Sequence, residues 1–267
     1  MNLINGKAGS SISIFDRGFL YGDAVFETIL VKKKKPINLK LHLNRLNKGI
    51  KNIKIKNFDV NVLEIQIRKA LKDQINCVLC INVSRGFAKK RGYNIELAKK
   101  PNIIISTTRI PEYPSSYYTH GIKTKFAKTK LFQNTNIDNI KHCNKIDNII
   151  ATSEISKNYP EVILCDHKDN IIEGTASNIF FIKKNKFYTP KLNNIGVDGV
   201  MKSVIINTLK KNKITIKSLD IKKNSINQFD AAFFCNSIRQ VWKIKSINGF
   251  SYKKNNLVEK LRVLLEE

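Results

Sequence analysis

The residues of this chain that could do chemistry are a CxxC pair, Cys77 and Cys80, and single charged residues set in short distinctive runs: Arg45 in HLNRL, Lys141 in IKHCN and Glu173 in IIEGTASN. A lysine can act as nucleophile and base where its surroundings let it lose its proton. An arginine presents a rigid fork that suits a phosphate. A helix opening at Gly199, in GVDGVMK, would offer an anion backbone amides, which do not depend on side chains. The CxxC pair sits in the β-like run CVLCINVS with no second cysteine pair near it, so it reads as structural and no metal site is expected. By spacing alone, Lys141 is one of 48 lysines and arginines and would pass for solvated surface.

The elements that must position these residues follow from pattern. LINGKAG carries an Asn-Gly turn signal, AVFETILV has strand composition, and the lysines at 32–35 before Pro36 mark a solvated hairpin tip. Leu39, Leu43, Leu46, Ile50 and Ile53 recur at helical spacing, with Asn38 as N-cap and with His42 and Arg45 flanking the buried stripe. A second helix is expected from about residue 59 to 73, then strands in CVLCINVSRG and NIIISTTRI. TRIPEYPSS, with two prolines, is the candidate linker. It divides the chain into an N-terminal α/β domain (1–108), a linker (109–116) and a C-terminal domain (117–267) that carries Lys141. In the second domain GIKTKFAKT, VILCD, NIIEG, NIFFIKK, ITIKSLDI, AAFFCN and VWKIKSI read as strands. Ile146, Ile149 and Ile150 suggest a helix after Lys141; Met201, Val204, Ile205 and Leu209 suggest another, capped by Asp198, and LVEKLRVLL a closing one. The mixture indicates an α/β (mixed α+β) enzyme-like chain without repeats.

Composition narrows the class. A chain of 267 residues can bury a substantial core. The five cysteines are odd in number and scattered through apolar stretches, as expected of reduced thiols, and no apolar run approaches the roughly 20 residues of a membrane span. A cytoplasmic location is the expectation. The net charge of +27 would suit nucleic acid if it were clustered, but it is diffuse and accompanied by abundant Asn and Ile, a bias that A- and T-rich codons also produce. No DNA- or RNA-binding pattern goes with it.

The segments FDRGFLYGDAVFETIL, HLNRL, IKHCNKIDNIIA, IIEGTASNIFFI and GVDGVMK, in that order and spacing, resemble the class IV (fold type IV) enzymes that use pyridoxal 5′-phosphate (PLP). These include branched-chain and D-amino acid aminotransferases and 4-amino-4-deoxychorismate lyases. The likeness spans nearly the whole chain. It implies a two-domain subunit of the D-amino acid aminotransferase type, a homodimer with active sites near the subunit interface, and a small-molecule substrate. Lys141 then matches the lysine that holds PLP as a Schiff base and moves protons, Glu173 the carboxylate facing the pyridine nitrogen, and Arg45 the phosphate arginine. Gly199, Val200 and Met201 match the helix start that holds the same phosphate, and Ser237 in FFCNS adds a hydroxyl there.

Finer matches point to lyase chemistry, the conversion of 4-amino-4-deoxychorismate to p-aminobenzoate and pyruvate for folate. Thr28 in YGDAVFET stands where the lyases carry a threonine proposed as proton donor and branched-chain aminotransferases have Gly. Met201 stands where aminotransferases commonly have Thr. SRGFAKKRGYN resembles the lyases' SRG…RGY loop, making Arg91 and, secondarily, Arg85 candidates for a substrate carboxylate, with Tyr21 as a further substrate contact. Lys243 departs from the family's usual Pro, which puts the rim of the site in doubt. The alternatives are an aminotransferase acting on branched-chain or D-amino acids with the same Lys141, Glu173 and Arg45, and a basic nucleic-acid-binding protein that keeps the fold without the chemistry.

Overall fold

The computed structural model describes all residues except 135, 136, 138, 254 and 267. Among the described residues the chain forms two compact units, Met1–Pro111 with Ile140–Lys145, and Glu112–Asn139 with Ile146–Glu267.

In the first unit, β1 (Asn2–Ile4) and β2 (Lys7–Ala8) flank the Asn5-Gly6 turn, both of whose residues have positive φ (51° and 78°), the type I′ signature. Helix α1 (Arg17–Tyr21) is capped by Asp16, whose carboxylate accepts from the Gly18 amide. Strand β3 (Ala24–Lys32) turns at Lys33 and Lys34 into β4 (Lys35–Pro36). Helices α2 (Leu39–Asn52) and α3 (Val60–Leu71) precede β5 (Cys77–Ser84) and β6 (Asn102–Thr108). The strands pair antiparallel throughout in the order β2-β1-β6-β5-β3-β4. Leu43, Leu46 and Ile50 of α2 and Leu63, Ile67 and Ala70 of α3 are buried, as are Val25, Ile29 and Val31 of β3. Truncating any of the leucines to Ala would cost about 2–5 kcal/mol.

Two local expectations fail here. Asn38 does precede α2, but it sits at φ 55° and its side chain makes no capping bond. His42 does not flank the buried stripe; it is fully buried, because its ring has a carboxylate to meet on β3.

The segment 140–145 returns to this unit. Strand β4 covers only Val31 and Lys32 of β3, leaving the other end of that edge with unpaired backbone groups. The Phe26 amide donates to the Lys141 carbonyl and the Cys143 amide to the Ala24 carbonyl, both at 2.9 Å, with Val25 opposite His142. Lys141 therefore belongs to the N-terminal unit and not to the C-terminal domain to which the linker-based division assigns it.

The second unit comprises α4 (Ser115–Thr119), β7 (Ile122–Lys130), α5 (Ile146–Thr152), β8 (Val162–Cys165), β9 (Ile171–Gly174), β10 (Asn178–Lys183), β11 (Lys186–Pro190), α6 (Val200–Lys211), β12 (Ile216–Leu219), β13 (Ala231–Asn236), β14 (Gln240–Ile247), β15 (Phe250–Ser251) and α7 (Leu257–Glu266). Its strands run in the order β12-β11-β10-β13-β14-β7-β8-β9, with β15 on β14. Pairing is mixed: β11–β12, β14–β7 and β7–β8 are parallel. Ile179, Phe181, Phe234 and Trp242 enter one core cluster, whereas Phe180, Ile182 and Phe233 join Met201, Ile205 and Leu209 of α6 in another. A sheet buried on both faces explains why NIFFI reads as an unbroken apolar run rather than an alternating one.

Helix α5 forms where the isoleucine spacing places it, but Ile146, Ile149 and Ile150 are exposed and Ala151 is its buried residue. At α6 the N-cap is Gly199, not Asp198; the Asp198 carboxylate instead accepts from Lys202 Nζ at 3.1 Å.

Candidate functional site

Within the first unit, residues alternate across β3, so Glu27 faces α2 while Phe26 and Thr28 face the other side. Glu27 is fully buried. Arg45 donates to it bidentately, Nε to Oε1 at 2.7 Å and Nη2 to Oε2 at 2.6 Å, and His42 Nδ1 lies 2.5 Å from Oε2. Burial pushes the Glu27 carboxyl up, but hydrogen bonds from Arg45 and His42 together with their charge outweigh it and hold it below the usual carboxylate range. The pair engages the Nε–Nη2 edge of Arg45 and so fixes the direction of the Nη1 end.

On the opposite side of β3, Lys141 Nζ lies 4.1 Å from the centre of the Phe26 ring, a cation–π contact. Thr28, two residues along the same face, is half-buried opposite Cys80. Burial raises the thiols of Cys80 and Cys143, the latter to about 11, although Lys141 pulls the other way in both. Neither thiol is a nucleophile beside this amine. Burial, with Lys145 adding to it, brings His142 down to about 4, so the imidazole next to Lys141 stays neutral. Cys77 and Cys80, three residues apart on one strand, point to opposite faces, and no metal-binding cluster occurs among the described residues.

The residues singled out for a substrate carboxylate separate into two kinds. Arg85 is 5% exposed and its guanidinium is consumed internally: Nε and Nη2 donate to the two oxygens of Asp23, and Nη1 and Nη2 to the carbonyls of Lys54 and Ile53. In this structure it braces the fold, tying Asp23 to the end of α2. Arg91 is exposed and lies near Tyr21, whose oxygen accepts from the Gly92 amide at 3.0 Å. That amide bond, outweighing a smaller rise from burial and joined by the charges of Arg91 and Arg17, lowers the Tyr21 phenol.

In the second unit Glu173 is buried on β9, and its Oε2 accepts from the Val197 amide at 2.9 Å. The chain turns there at Gly196, with φ 76°; a Cβ at that position would stand 2.8 Å from Ile172 Cγ2 and 3.0 Å from Glu173 Oε2. The N-terminus of α6 follows at once. Asn178 Nδ2 donates to the Val197 carbonyl at 2.8 Å, and a Cβ on Gly199 would fall 1.9 Å from Asn178 Oδ1. Val200 and Met201 are buried, Met201 within the cluster that includes Phe180 and Ile205, so what this turn can offer an anion is backbone amide. Ser237 follows β13, and its carbonyl accepts from Gln240 Nε2 at 2.9 Å. Lys243 Nζ donates to the Asn255 carbonyl and to Glu259, tying β14 to α7.

Sequence reasoning missed Glu27, Arg17, Asp23 and Glu161. Glu161 is fully buried and takes Arg239 Nη1 at 2.5 Å, the Thr175 amide and hydroxyl, and Ser177 Oγ, bracing the GTAS turn just after Glu173. The available signal was alternation: in VFETILV an acid occupies a position whose neighbours two residues away, Val25 and Ile29, are core.

Set against known proteins, residues 24–247 match the defining pattern of the amino-transferase class IV family. The chain is 27% identical over 248 residues to an aminodeoxychorismate lyase of Vibrio harveyi, covering 92% of this chain and 91% of that one. A crystal structure of 4-amino-4-deoxychorismate lyase from Pseudomonas aeruginosa superposes with a TM-score of 0.95 at 25% identity, covering 100% of this chain and 98% of that one. The fold is shared with a branched-chain amino acid aminotransferase from Escherichia coli (TM-score 0.86, 18% identity, 98% and 91% covered). With the family match running from β3 to the end of β14, the chain belongs to the class IV amino-transferase family.

Proposed function

We propose that this enzyme is an aminodeoxychorismate lyase, converting 4-amino-4-deoxychorismate to p-aminobenzoate and pyruvate with PLP. The residue types suit that cofactor's groups. Lys141 supplies an amine for its aldehyde, buried Glu173 an acid for its ring nitrogen, and Arg45 with the amides of Gly199, Val200 and Met201 the cations and donors for its phosphate, to which Ser237 adds a hydroxyl. When bound, the cofactor supplies a sink for the electron pair left as the substrate loses a proton.

The observation that carries the lyase reading is that Thr28 shares the face of β3 on which Lys141 stands over Phe26. Lys141 Nζ takes the proton from the carbon that bears the substrate nitrogen, and a proton is returned to the methylene carbon of the departing enolpyruvyl group either by Lys141 itself or by Thr28 Oγ1, whose hydroxyl the proton held on Lys141 then restores, so that none is gained or lost overall. Glu173, buried away from water, presents its carboxyl group to the ring nitrogen. Arg91, with the Tyr21 oxygen beside it, receives a substrate carboxylate. The products contain every atom of the substrate, so no second substrate is consumed.

The reading includes a homodimer acting in the cytoplasm on a small molecule; among the described residues no helix is long and apolar enough to cross a membrane. The test is to supply purified protein with aminodeoxychorismate and no keto acid, and to follow p-aminobenzoate by fluorescence and pyruvate enzymatically. Equal release of both is expected. Turnover that requires a keto-acid acceptor would mark an aminotransferase, and a colourless protein whose visible spectrum is unchanged in Lys141→Ala would remove the cofactor reading altogether.

A further inference from the structure

Arg17 has a side chain only 4% exposed, and none of the chemistry above uses it. Its Nε donates to Asp23 Oδ2 at 2.9 Å. Its terminal nitrogens reach three successive backbone carbonyls: Nη1 to Gly92 at 2.7 Å and Asn94 at 3.5 Å, and Nη2 to Tyr93 at 3.4 Å. Asp23 is held in turn by Arg85, which is anchored to the Ile53 and Lys54 carbonyls. Tyr21, four residues along from Arg17, grips the amide side of the same turn through Gly92, and its ring lies 5.5 Å from that of Tyr93. Gly92 has φ 139°, which lets the chain make this turn.

Residues 91, 93 and 94 are exposed, and a polar exposed turn without such anchors would open readily. A cation on a loose turn binds a carboxylate only after ordering it, which weakens binding. We propose that Arg17, braced by Asp23 and Arg85, is a positioning residue that preorganises the 91–94 turn so that Arg91 and Tyr21 recognise a substrate carboxylate. The inference rests on the substrate role given above to Arg91. A lysine could keep the ion pair with Asp23 but cannot span three carbonyls, because it lacks the planar fork.

The experiment uses PLP-loaded holoenzyme and two variants. Arg17→Lys removes the fork; Arg17→Met removes the charge as well while leaving Asp23 paired with Arg85, and keeps the proposal testable if the lysine variant does not fold. Both are expected to speed amide hydrogen exchange across 91–94 by about tenfold or more, the scale of a lost hydrogen bond to a charged group, and to leave the visible cofactor band unchanged. KM for aminodeoxychorismate should rise about tenfold with kcat within about twofold, and in an Arg91→Ala background Arg17→Lys should add nothing to KM. Unchanged exchange overturns the proposal. So does faster exchange without a change in KM, or a KM effect of Arg17→Lys that persists in full without Arg91. A wild-type protein that leaves aminodeoxychorismate intact overturns the proposed activity instead, and exchange across 91–94 in Arg17→Lys then decides the clamp on its own.

Discussion

The two units hold their candidate groups by different physics. In the first, Arg45 is oriented by a buried carboxylate that also takes His42, and the Tyr21–Arg91 pair stands on a turn gripped by a buried arginine with its own carboxylate. In the second, Glu173 is fixed by a backbone amide, and α6 begins at a glycine with no side-chain cap. Side-chain networks hold a group rigidly but fail when one charge is removed, because the partner is left buried and uncompensated. A backbone cradle tolerates side-chain exchange and fails instead when atoms are added where none fit. The surroundings of Arg45 and Arg91 in the first unit should therefore be sensitive to charge and pH, and the glycine turn into α6 in the second to volume, even though the buried Glu161–Arg239 pair braces the neighbouring GTAS turn by charge.

The largest effect lies where the first unit depends on a single side chain. Lys141→Ala should lower turnover by at least about 10⁴-fold, the upper end of what a positioned proton-transfer group contributes, and abolish the visible band. Retention of more than a hundredth of wild-type activity would show that another group does the work. Next is Glu27→Gln, which keeps the shape but removes the buried charge that Arg45 and His42 face. Thermal or urea unfolding should show a loss of about 3–5 kcal/mol, with weakened PLP binding. The wild-type network also predicts a pH dependence. Since the folded Glu27 carboxyl ionises below its ordinary value, its stabilisation is complete above about pH 4.3, the ordinary glutamate value, and is lost as pH falls through the folded value. Glu27→Gln should therefore flatten the acid limb of the stability curve; an unchanged limb would break the comparison on the side of the first unit.

In the second unit the corresponding test adds volume. Gly196→Ala puts a methyl group at φ 76°, against Ile172 and the Glu173 carboxylate. It should destabilise by about 1–3 kcal/mol and weaken the cofactor band, with no shift in the acid limb. A pH-dependent loss would mean that Glu173 is held by charge after all.

The same contrast explains what could be read from the chain. Regular elements were legible because periodicity records burial: α2, α3 and α6 appear where their apolar spacing puts them, and the strands of the second unit where their apolar runs lie. The membership of Lys141 was not legible, since a segment that leaves one unit to pair with an open strand edge in the other has no local pattern. Nor were α1, the Arg17–Asp23–Arg85 system and the Glu161–Arg239 pair, whose partners lie 6, 62 and 78 residues apart; a buried ion pair between distant charges looks like solvated surface until both are placed. The exposed isoleucines of α5 mark the opposite failure, an apolar spacing that does not face the core of its own unit.

The smallest predicted effect is the sharpest for the second unit. By resemblance Met201 stands where aminotransferases commonly carry Thr, yet its side chain is buried among Phe180, Ile205 and their neighbours while its amide belongs to the helix start. If the cradle is backbone alone, Met201→Leu is a volume-conserving core exchange and should cost less than about 1.5 kcal/mol, leaving PLP affinity within about twofold. Titration of the apo-protein with PLP, read by the visible band, measures this directly. A tenfold weakening with the unfolding midpoint unchanged would place the thioether itself among the cofactor contacts, and the distinction between the side-chain network around Arg45 and the backbone cradle at α6 would then fail at its most specific point.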